Sequence, residues 1–283
     1  MKRWYEEIAV VLTAAHWLSI DVLLGAMLMH RVALHLPEGR LGGGGWITTL
    51  LVGIAVFLIY TTDRLLDNLK TPRPVTHRHR FYAQNRDWLL KIVVGLGVIG
   101  LGLLFWLPSS VWCVGLGLAV VVGIYLWVVY RLPSDHSLIV YKEIVVAVAY
   151  TVGVWGTAIV QLPTISWEAW SLMLMVGLIA FQNLLLFGWF ESLEVERGYS
   201  MVIAWGTESV GNWLNKWPIL VGLGAVVVVI FTPYWYCVRV SFMLLMMSLA
   251  LFWIKKEANA LLSNEHYRWL SDGVFFLGLW VLD

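Results

Sequence analysis

Two aspartates one helical turn apart are the first residues whose types and spacing suggest chemistry. Asp63 and Asp67 end an apolar segment, and a basic loop with two prolines follows them. On a helix the two carboxylates project from one face, and the prolines stop that helix. Such a pair suits Mg2+, which takes one or two carboxylates and fills its other positions with water and phosphate oxygens. The alternative is an ordinary flank of basic residues with acidic counter-ions at a cytoplasmic membrane surface.

A second acidic group follows another apolar segment. Glu191, Glu194 and Arg197 recur at three-residue steps and share a helix face, and Gly198 then breaks the helix. Within the same segment Asn183 follows Gln182. Amides in a membrane span need polar partners or a polar cavity, because hydrocarbon satisfies none of their hydrogen bonds. Two acidic pairs at helix ends therefore favour a binding site over two unrelated flanks.

Two further charged residues are candidates, each with a plainer alternative. Lys142 begins a predicted helix, where the helix N-terminus and the ammonium together can receive phosphate oxygens; the alternative is a lysine that snorkels to the interface. Asp21 is the deepest acid in an apolar segment. It is either a functional group that faces the interior of the bundle or a structural partner of His16 or Asn183.

The elements that must position these residues are membrane helices. Of the 283 residues, 60% are hydrophobic, against about half in a soluble domain. Many of the 18 tryptophans fall near the ends of apolar runs, as interfacial anchors do. The two cysteines lie in no motif, which argues against a disulfide framework or a cysteine-based metal site. The N-terminal apolar run contains charged residues and lacks a cleavage pattern, so we expect a retained first helix.

Nine apolar segments are long enough, or nearly so, to cross a bilayer at about 20 residues each. They predict an all-α, polytopic membrane bundle in which residues 1–283 form a single domain. Prolines 37, 108, 133, 163 and 233 lie at or just beyond segment ends, where helices stop. The predicted spans are 8–33, 46–66, 89–107, 111–130, 139–161, 168–190, 213–232, 235–254 and 270–282.

The distribution of basic residues predicts the orientation. With the N-terminus in the cytoplasm, 16 of the 19 Lys and Arg residues fall on the cytoplasmic side of these spans, as the positive-inside rule requires. Both acidic pairs then face the cytoplasm. We expect a multi-pass protein of a bacterial inner membrane, with membrane lipid around it, no nucleic-acid partner and no protein partner that the sequence identifies.

A glycine-rich stretch matches a nucleotide-binding pattern only formally. Gly95, Gly97, Gly100 and Gly102 fit GxGxxG, but the strand, turn and helix that this fingerprint requires are missing. Small residues at such spacing let membrane helices pack closely, and we predict that role here.

Taken together, the nine predicted spans and the two acidic motifs resemble the UbiA superfamily of intramembrane prenyltransferases. The topological resemblance covers the whole chain, whereas the specific motifs cover about forty residues. Asp63 and Asp67 match the two aspartates of the family's first motif, although Ile59 stands where the family has asparagine. Glutamates before Gly198 stand in for the second motif, with Glu for Asp and altered spacing.

The resemblance implies transfer of a prenyl group from a polyprenyl diphosphate to a hydrophobic acceptor, either aromatic or lipid, with Mg2+ as cofactor. It implies that Asp63 and Asp67 hold one Mg2+ and that Glu191 and Glu194 hold the other. The implied diphosphate contacts are Lys70, Arg73 and Lys142, and the implied cavity residues are Asp21, Tyr60 and Asn183.

The departures from the motifs keep two alternatives open. One is a terpenoid cyclase of the same superfamily, which needs no external acceptor. The other is a non-catalytic protein that keeps the bundle as a lipid-binding or assembly subunit. Aromatic rings such as Tyr60, Phe187 or Trp189 would stabilise an allylic cation in the enzymatic interpretations, and would be simple packing in the last.

Overall fold

The computed structural model describes residues 15–39, 45–70, 77–132, 136, 140–194, 200–262 and 266–282. Within these ranges the secondary structure is helical and contains no strand. The helices are α1 Ile20–Leu34, α2 Trp46–Lys70, α3 His77–Gln84, α4 Arg86–Leu104, α5 Ser109–Arg131, α6 Lys142–Ile159, α7 Trp167–Glu194, α8 Met201–Trp205, α9 Thr207–Phe231, α10 Trp235–Lys256, α11 Ala258–Leu261, α12 His266–Gly273 and α13 Leu279–Leu282.

Seven of these helices, α2, α4, α5, α6, α7, α9 and α10, are long and apolar enough to cross a membrane. They correspond to seven of the nine predicted spans, so the chain is an integral membrane bundle but the count of nine is not confirmed. The predicted span 8–33 begins outside the described residues, and its described part is interrupted at Ser19, whose backbone is left-handed (φ 55°). The predicted span 270–282 is a broken rod, in which the 3₁₀ turn Val274–Gly278 separates α12 from α13.

The prolines explain where several helices begin and end. Pro108 precedes α5, Pro163 follows α6, and Pro233 lies between α9 and α10, as predicted. Each removes a backbone donor and fixes φ, which stops a helix or starts one. Pro37 lies in the turn after α1 as predicted, whereas Pro133 lies outside the described residues.

Helix α7 lies at the centre of the bundle and packs against α6, α9 and α10. It is apolar on all sides, as expected of a helix surrounded by others. Its two amides are bonded to different helices. The Ser248 hydroxyl of α10 donates to Gln182 Oε1 at 2.7 Å, and Gln182 Nε2 donates to the Ser248 carbonyl oxygen at 3.1 Å. Both residues are buried, so this pair of bonds fixes α7 against α10.

The glycine stretch of α4 does not have the packing role predicted for it. Only Gly100 has a neighbour close enough to count as packing, because a Cβ placed on it would lie about 3.4–3.5 Å from Ile54 and Leu51 of α2. A Cβ placed on Gly95, Gly97 or Gly102 would meet no atom within 4 Å. The prediction is therefore wrong for three of the four, because α4 approaches a neighbouring helix along one line only.

The Gln182–Ser248 pair yields a stability prediction. Gln182→Leu has a similar volume but removes both bonds and leaves the Ser248 hydroxyl without its partner on α7, so we expect a loss of about 1–3 kcal/mol in the free energy of unfolding. Unfolding by sodium dodecyl sulfate in mixed micelles measures it. The control Met246→Leu, at an exposed position of α10, should change stability by less than about 0.5 kcal/mol. Equal stability of the two variants would show that the Gln182–Ser248 pair does not stabilise the contact between α7 and α10.

Candidate functional site

The first acidic pair lies in the last turns of α2, at what we call the polar end of the bundle. Asp63 and Asp67 are one turn apart on a continuous helix, as predicted. Arg64 lies between them, and its Nη1 is 3.6 Å from Asp67 Oδ2. The two side chains of that pair are 23% and 41% exposed, so both carboxylate and guanidinium remain reachable from the polar end.

The second acidic group is held by an arginine that the sequence reasoning gave no role. Arg268 of α12 donates from Nη2 to Glu191 Oε1 at 2.5 Å, and its guanidinium also lies over the rings of Phe187 and Tyr267. Arg268 is buried while Glu191 is 39% exposed. Glu191 is thus charge-paired rather than open, and the side chain of Glu194, the last residue of α7, lies outside the described residues.

Of the three basic residues implied as diphosphate contacts, the structure describes the side chain of one. Lys142 begins α6 and is partly exposed, within electrostatic range of Glu191. Lys70 ends α2, but its side chain is outside the described part of the chain, and so is the whole of Arg73. Lys142 therefore shares the polar end with Glu191, as expected.

A buried glutamate beside Lys142 adds a further acid to this end. Glu143 is 6% exposed, and among the described residues its Oε2 has no hydrogen-bond partner. Asp63, Asp67 and Glu143 all lie within electrostatic range of the Tyr125 hydroxyl on α5. The carboxylates of α2 and α6 therefore surround one phenol at the polar end.

An apolar cavity of about 590 Å³ begins at this phenol and runs between α2, α4, α5 and α6. Its lining extends along α2 from Thr48 to Tyr60, a length of about 18 Å at 1.5 Å per residue. Leu101 and Leu116 line the cavity and are also exposed, so the cavity opens sideways between α4 and α5. Its volume falls within the range of small-molecule sites, roughly 300–1,000 Å³.

Three glycines widen the cavity. Gly97, Gly115 and Gly123 line it, and a side chain added at any of them would project into open space. A larger residue at these positions would fill the space between α4, α5 and their neighbours. The glycines of α4 and α5 therefore create room for an occupant rather than close contact between helices.

Three tyrosines lie where the cavity meets the charged groups. Tyr60, Tyr125 and Tyr150 line the cavity, and the Tyr60 hydroxyl is within electrostatic range of Asp63, Asp21 and Asp272. Of the aromatic residues considered for cation stabilisation, Tyr60 alone lines the cavity. Phe187 lies against Arg268, and Trp189 lies beneath the ammonium of Lys255.

Asp21 belongs to a second cluster on the other side of Tyr60. His16 Nδ1 and Asp21 Oδ2 are 2.5 Å apart, which confirms the structural partner considered for Asp21. Asn183, the other partner considered, instead donates from Nδ2 to Asp272 Oδ1 at 3.3 Å. Positions five apart lie about 140° from each other on a regular helix, so the left-handed turn at Ser19 is what lets His16 reach Asp21.

The ligand atoms of His16, Asp21 and Asp272 all lie within 4.8 Å of one another. Among the described residues this is the one group of three such side chains that approaches so closely, and it does not include Asp63, Asp67 or Glu191. Two carboxylates at about this separation repel by roughly 4 kcal/mol at an effective dielectric constant of 20. The cluster is therefore stable only with a compensating positive charge or a proton.

Sequence reasoning missed Asp272, Glu143 and Arg268. The signal for Asp272 was present, because it is an acid within the apolar segment 270–282, the same feature that singled out Asp21. Glu143 was passed over because it follows a lysine at a helix start, as a solvated residue also does. Nothing in the local sequence of Arg268 distinguishes it from a loop cation.

Comparisons of this chain with protein-family models, with curated proteins and with solved structures give no match.

The two ion pairs of the polar end differ in burial, which gives a second prediction. A double-mutant cycle with Glu191→Gln and Arg268→Gln should give a coupling of at least about 1 kcal/mol, because the buried guanidinium loses its charged partner. The matched cycle with Arg64→Gln and Asp67→Asn should give about 0.5 kcal/mol or less, since that pair is longer and more exposed. Unfolding in mixed micelles measures both, and equal couplings would refute the distinction.

Proposed function

We propose that this protein is a divergent intramembrane prenyltransferase of the UbiA type, which transfers a prenyl group from a polyprenyl diphosphate to an aromatic or lipid acceptor. The observation that carries the proposal is the apolar cavity lined by three tyrosines, two of which, Tyr60 and Tyr125, lie within electrostatic range of the Asp63 carboxylate. A prenyl diphosphate has the same two parts, a long hydrocarbon and a compact anionic head. The polar end would face the cytoplasm of a bacterial inner membrane.

The cavity suits the hydrocarbon part. Its lining between Thr48 and Tyr60 is almost wholly aliphatic, so it offers an alkyl or alkenyl chain an apolar environment away from water. Its lateral opening between α4 and α5 supports entry from the lipid rather than from water. A water-soluble substrate would not need either feature.

The polar end suits the diphosphate, provided that a metal ion offsets its acids. Asp63 and Asp67 offer carboxylate oxygens, the donors that Mg2+ prefers, and they fit one such ion. Bound there, Mg2+ would neutralise negative charge on the diphosphate. Lys142 would contact phosphate oxygens directly, and Lys70 and Arg73 remain proposed contacts.

The second metal proposed for Glu191 and Glu194 fits less well. Glu191 already accepts a charged hydrogen bond from Arg268, so an ion there would compete with the guanidinium. We propose that Arg268 offsets part of the charge at this position, which accords with the altered spacing of the second motif.

The reaction would begin by breaking the bond between the allylic carbon and the diphosphate oxygen, with the electron pair leaving on the oxygen. The faces of Tyr60, Tyr125 and Tyr150 would stabilise the allylic cation by cation–π attraction. A nucleophilic carbon or oxygen of the acceptor would then bond to that cation and lose its proton to the departing diphosphate or to water. Asp21 and Asn183, which the resemblance implied as cavity residues, are not among the residues that line the described cavity.

The first test is release of pyrophosphate from prenyl diphosphates by the purified protein in detergent with Mg2+. Asp63→Asn should reduce the rate by about 10²–10³-fold, because charge stabilisation of the leaving group is lost. The control Asp87→Asn, an exposed acid at the start of α4, should retain the native rate.

Dependence on added acceptor separates the alternatives. Release only with a quinone-type aromatic or lipid acceptor supports a transferase, and release without any acceptor supports a terpenoid cyclase. No release from any chain length by a folded protein would refute both, and would favour the non-catalytic lipid-binding or assembly subunit.

The cavity gives a prediction of chain-length preference. Gly115 lies ten residues from Tyr125, near the end of the cavity away from the acids. Gly115→Leu should therefore lower kcat/KM for the longest accepted prenyl diphosphate by about tenfold or more, with little effect on short ones. Gly117→Leu is the matched control, since Gly117 also faces open space but does not line the cavity. If both substitutions changed kcat/KM equally for prenyl diphosphates of all lengths, the prenyl chain would not bind in this cavity.

A further inference from the structure

The cluster of His16, Asp21 and Asp272 joins two parts of the chain that are distant in sequence. His16 precedes α1, Asp21 lies in its first turn, and Asp272 lies on α12. Asn183 of α7 completes the group through its bond to Asp272. None of these four residues belongs to the acidic motifs at Asp63, Asp67, Glu191 and Glu194.

The amide of Asn183 has an unused acceptor beside the carboxylates. Asn183 is 6% exposed, and its Oδ1 has no hydrogen-bond partner among the described residues. The other atom of the same amide group, Nδ2, is bonded to Asp272 Oδ1, so Oδ1 lies next to the cluster. Buried polar atoms are usually satisfied, and an unsatisfied oxygen on an amide that is bonded to one carboxylate of the cluster indicates a position suited to a cation.

We propose that His16, Asp21, Asp272 and the Asn183 carbonyl oxygen bind a divalent first-row transition-metal ion. One imidazole nitrogen with carboxylate and carbonyl oxygens is a donor set that Zn2+ and Mn2+ accept. A divalent ion also balances both carboxylate charges, whereas His16, the ion-pair partner of Asp21, supplies at most one positive charge. Mg2+ is disfavoured because it selects oxygen donors.

The neighbouring residues orient the imidazole for this role. The His16 ring stacks on Trp269 with centroids 4.7 Å apart and an angle of 27° between planes. Contacts around a ligand residue fix the direction of its ligating nitrogen. The bond from His16 to Asp21 uses one of the two imidazole nitrogens, so metal binding through that nitrogen would exchange the hydrogen bond for a coordinate bond.

The site does not depend on the proposed transferase activity, and a binding experiment tests it directly. The full chain, purified in detergent and stripped with a chelator, is titrated with Zn2+ and separately with Mn2+ by calorimetry, and the retained metal is counted by mass spectrometry after gel filtration. We expect one equivalent bound to the native protein and a melting temperature that rises with the logarithm of the free metal concentration once the site is filled.

The variants locate the site. Asp272→Asn and His16→Ala should lose the bound equivalent and the rise in melting temperature, whereas His266→Ala, an exposed histidine on the same helix as Asp272, should keep both. Asp21→Asn conserves the shape of the side chain. If this variant elutes like the native protein on gel filtration but binds no metal, misfolding is excluded as the cause.

Three outcomes would overturn the proposal: no saturable binding by the native protein, binding that survives in Asp272→Asn, or loss that follows Asp67→Asn instead. The last would mean that the ion binds at the proposed magnesium site. Absence of pyrophosphate release would leave the metal-binding result unaffected, because the two experiments measure different properties and use substitutions at different residues.

Discussion

The free-energy cost of holding charged groups among apolar helices governs the arrangement of this protein. Several acids among the described residues have a specific charged partner. Glu191 is held by Arg268, and Asp21 is held by His16. Two buried oxygens, Glu143 Oε2 and Asn183 Oδ1, have no hydrogen-bond partner among the described residues, and both lie near other acids. Unpaired buried oxygens are costly, so they are tolerated where a further group can approach them.

Tyr60 connects the parts of the interior. It lines the apolar cavity, and its hydroxyl is within electrostatic range both of Asp63 and of Asp21 and Asp272. The two acidic clusters therefore both lie near this one phenol. A change of charge at one cluster would be felt at the other, since the surrounding helices provide little screening. This places the cavity, the acidic pair of α2 and the His16 cluster in one continuous interior.

Hydrophobic run length alone predicted the seven spans, because lipid forces every backbone polar group into a helix and so leaves one solution for a long apolar segment. The turn of helix that places Asp63 and Asp67 together followed from their spacing. The partners across the bundle could not be predicted in this way, because the contacts of Arg268 with Glu191 and of Asn183 with Asp272 join residues that are distant in sequence.

The cavity could not be predicted from the sequence either, since it depends on how far α4 and α5 diverge. Glycines that favour close packing in other membrane helices here leave space. The single turn at Ser19, which a residue pattern does not encode, decides which face of the chain His16 occupies.

Because the cavity opens sideways between α4 and α5, the concentration that determines its occupancy is that of the occupant within the membrane. An occupant that enters there arrives by diffusion in two dimensions, so its occupancy of the cavity follows its mole fraction in the membrane rather than its molarity in water. If detergent or lipid is added while the amounts of protein and occupant are held constant, the mole fraction of the occupant in the micelle or bilayer falls. Its apparent affinity then weakens without any change in the protein. Affinities measured in different micelles are therefore comparable only after conversion to that surface scale.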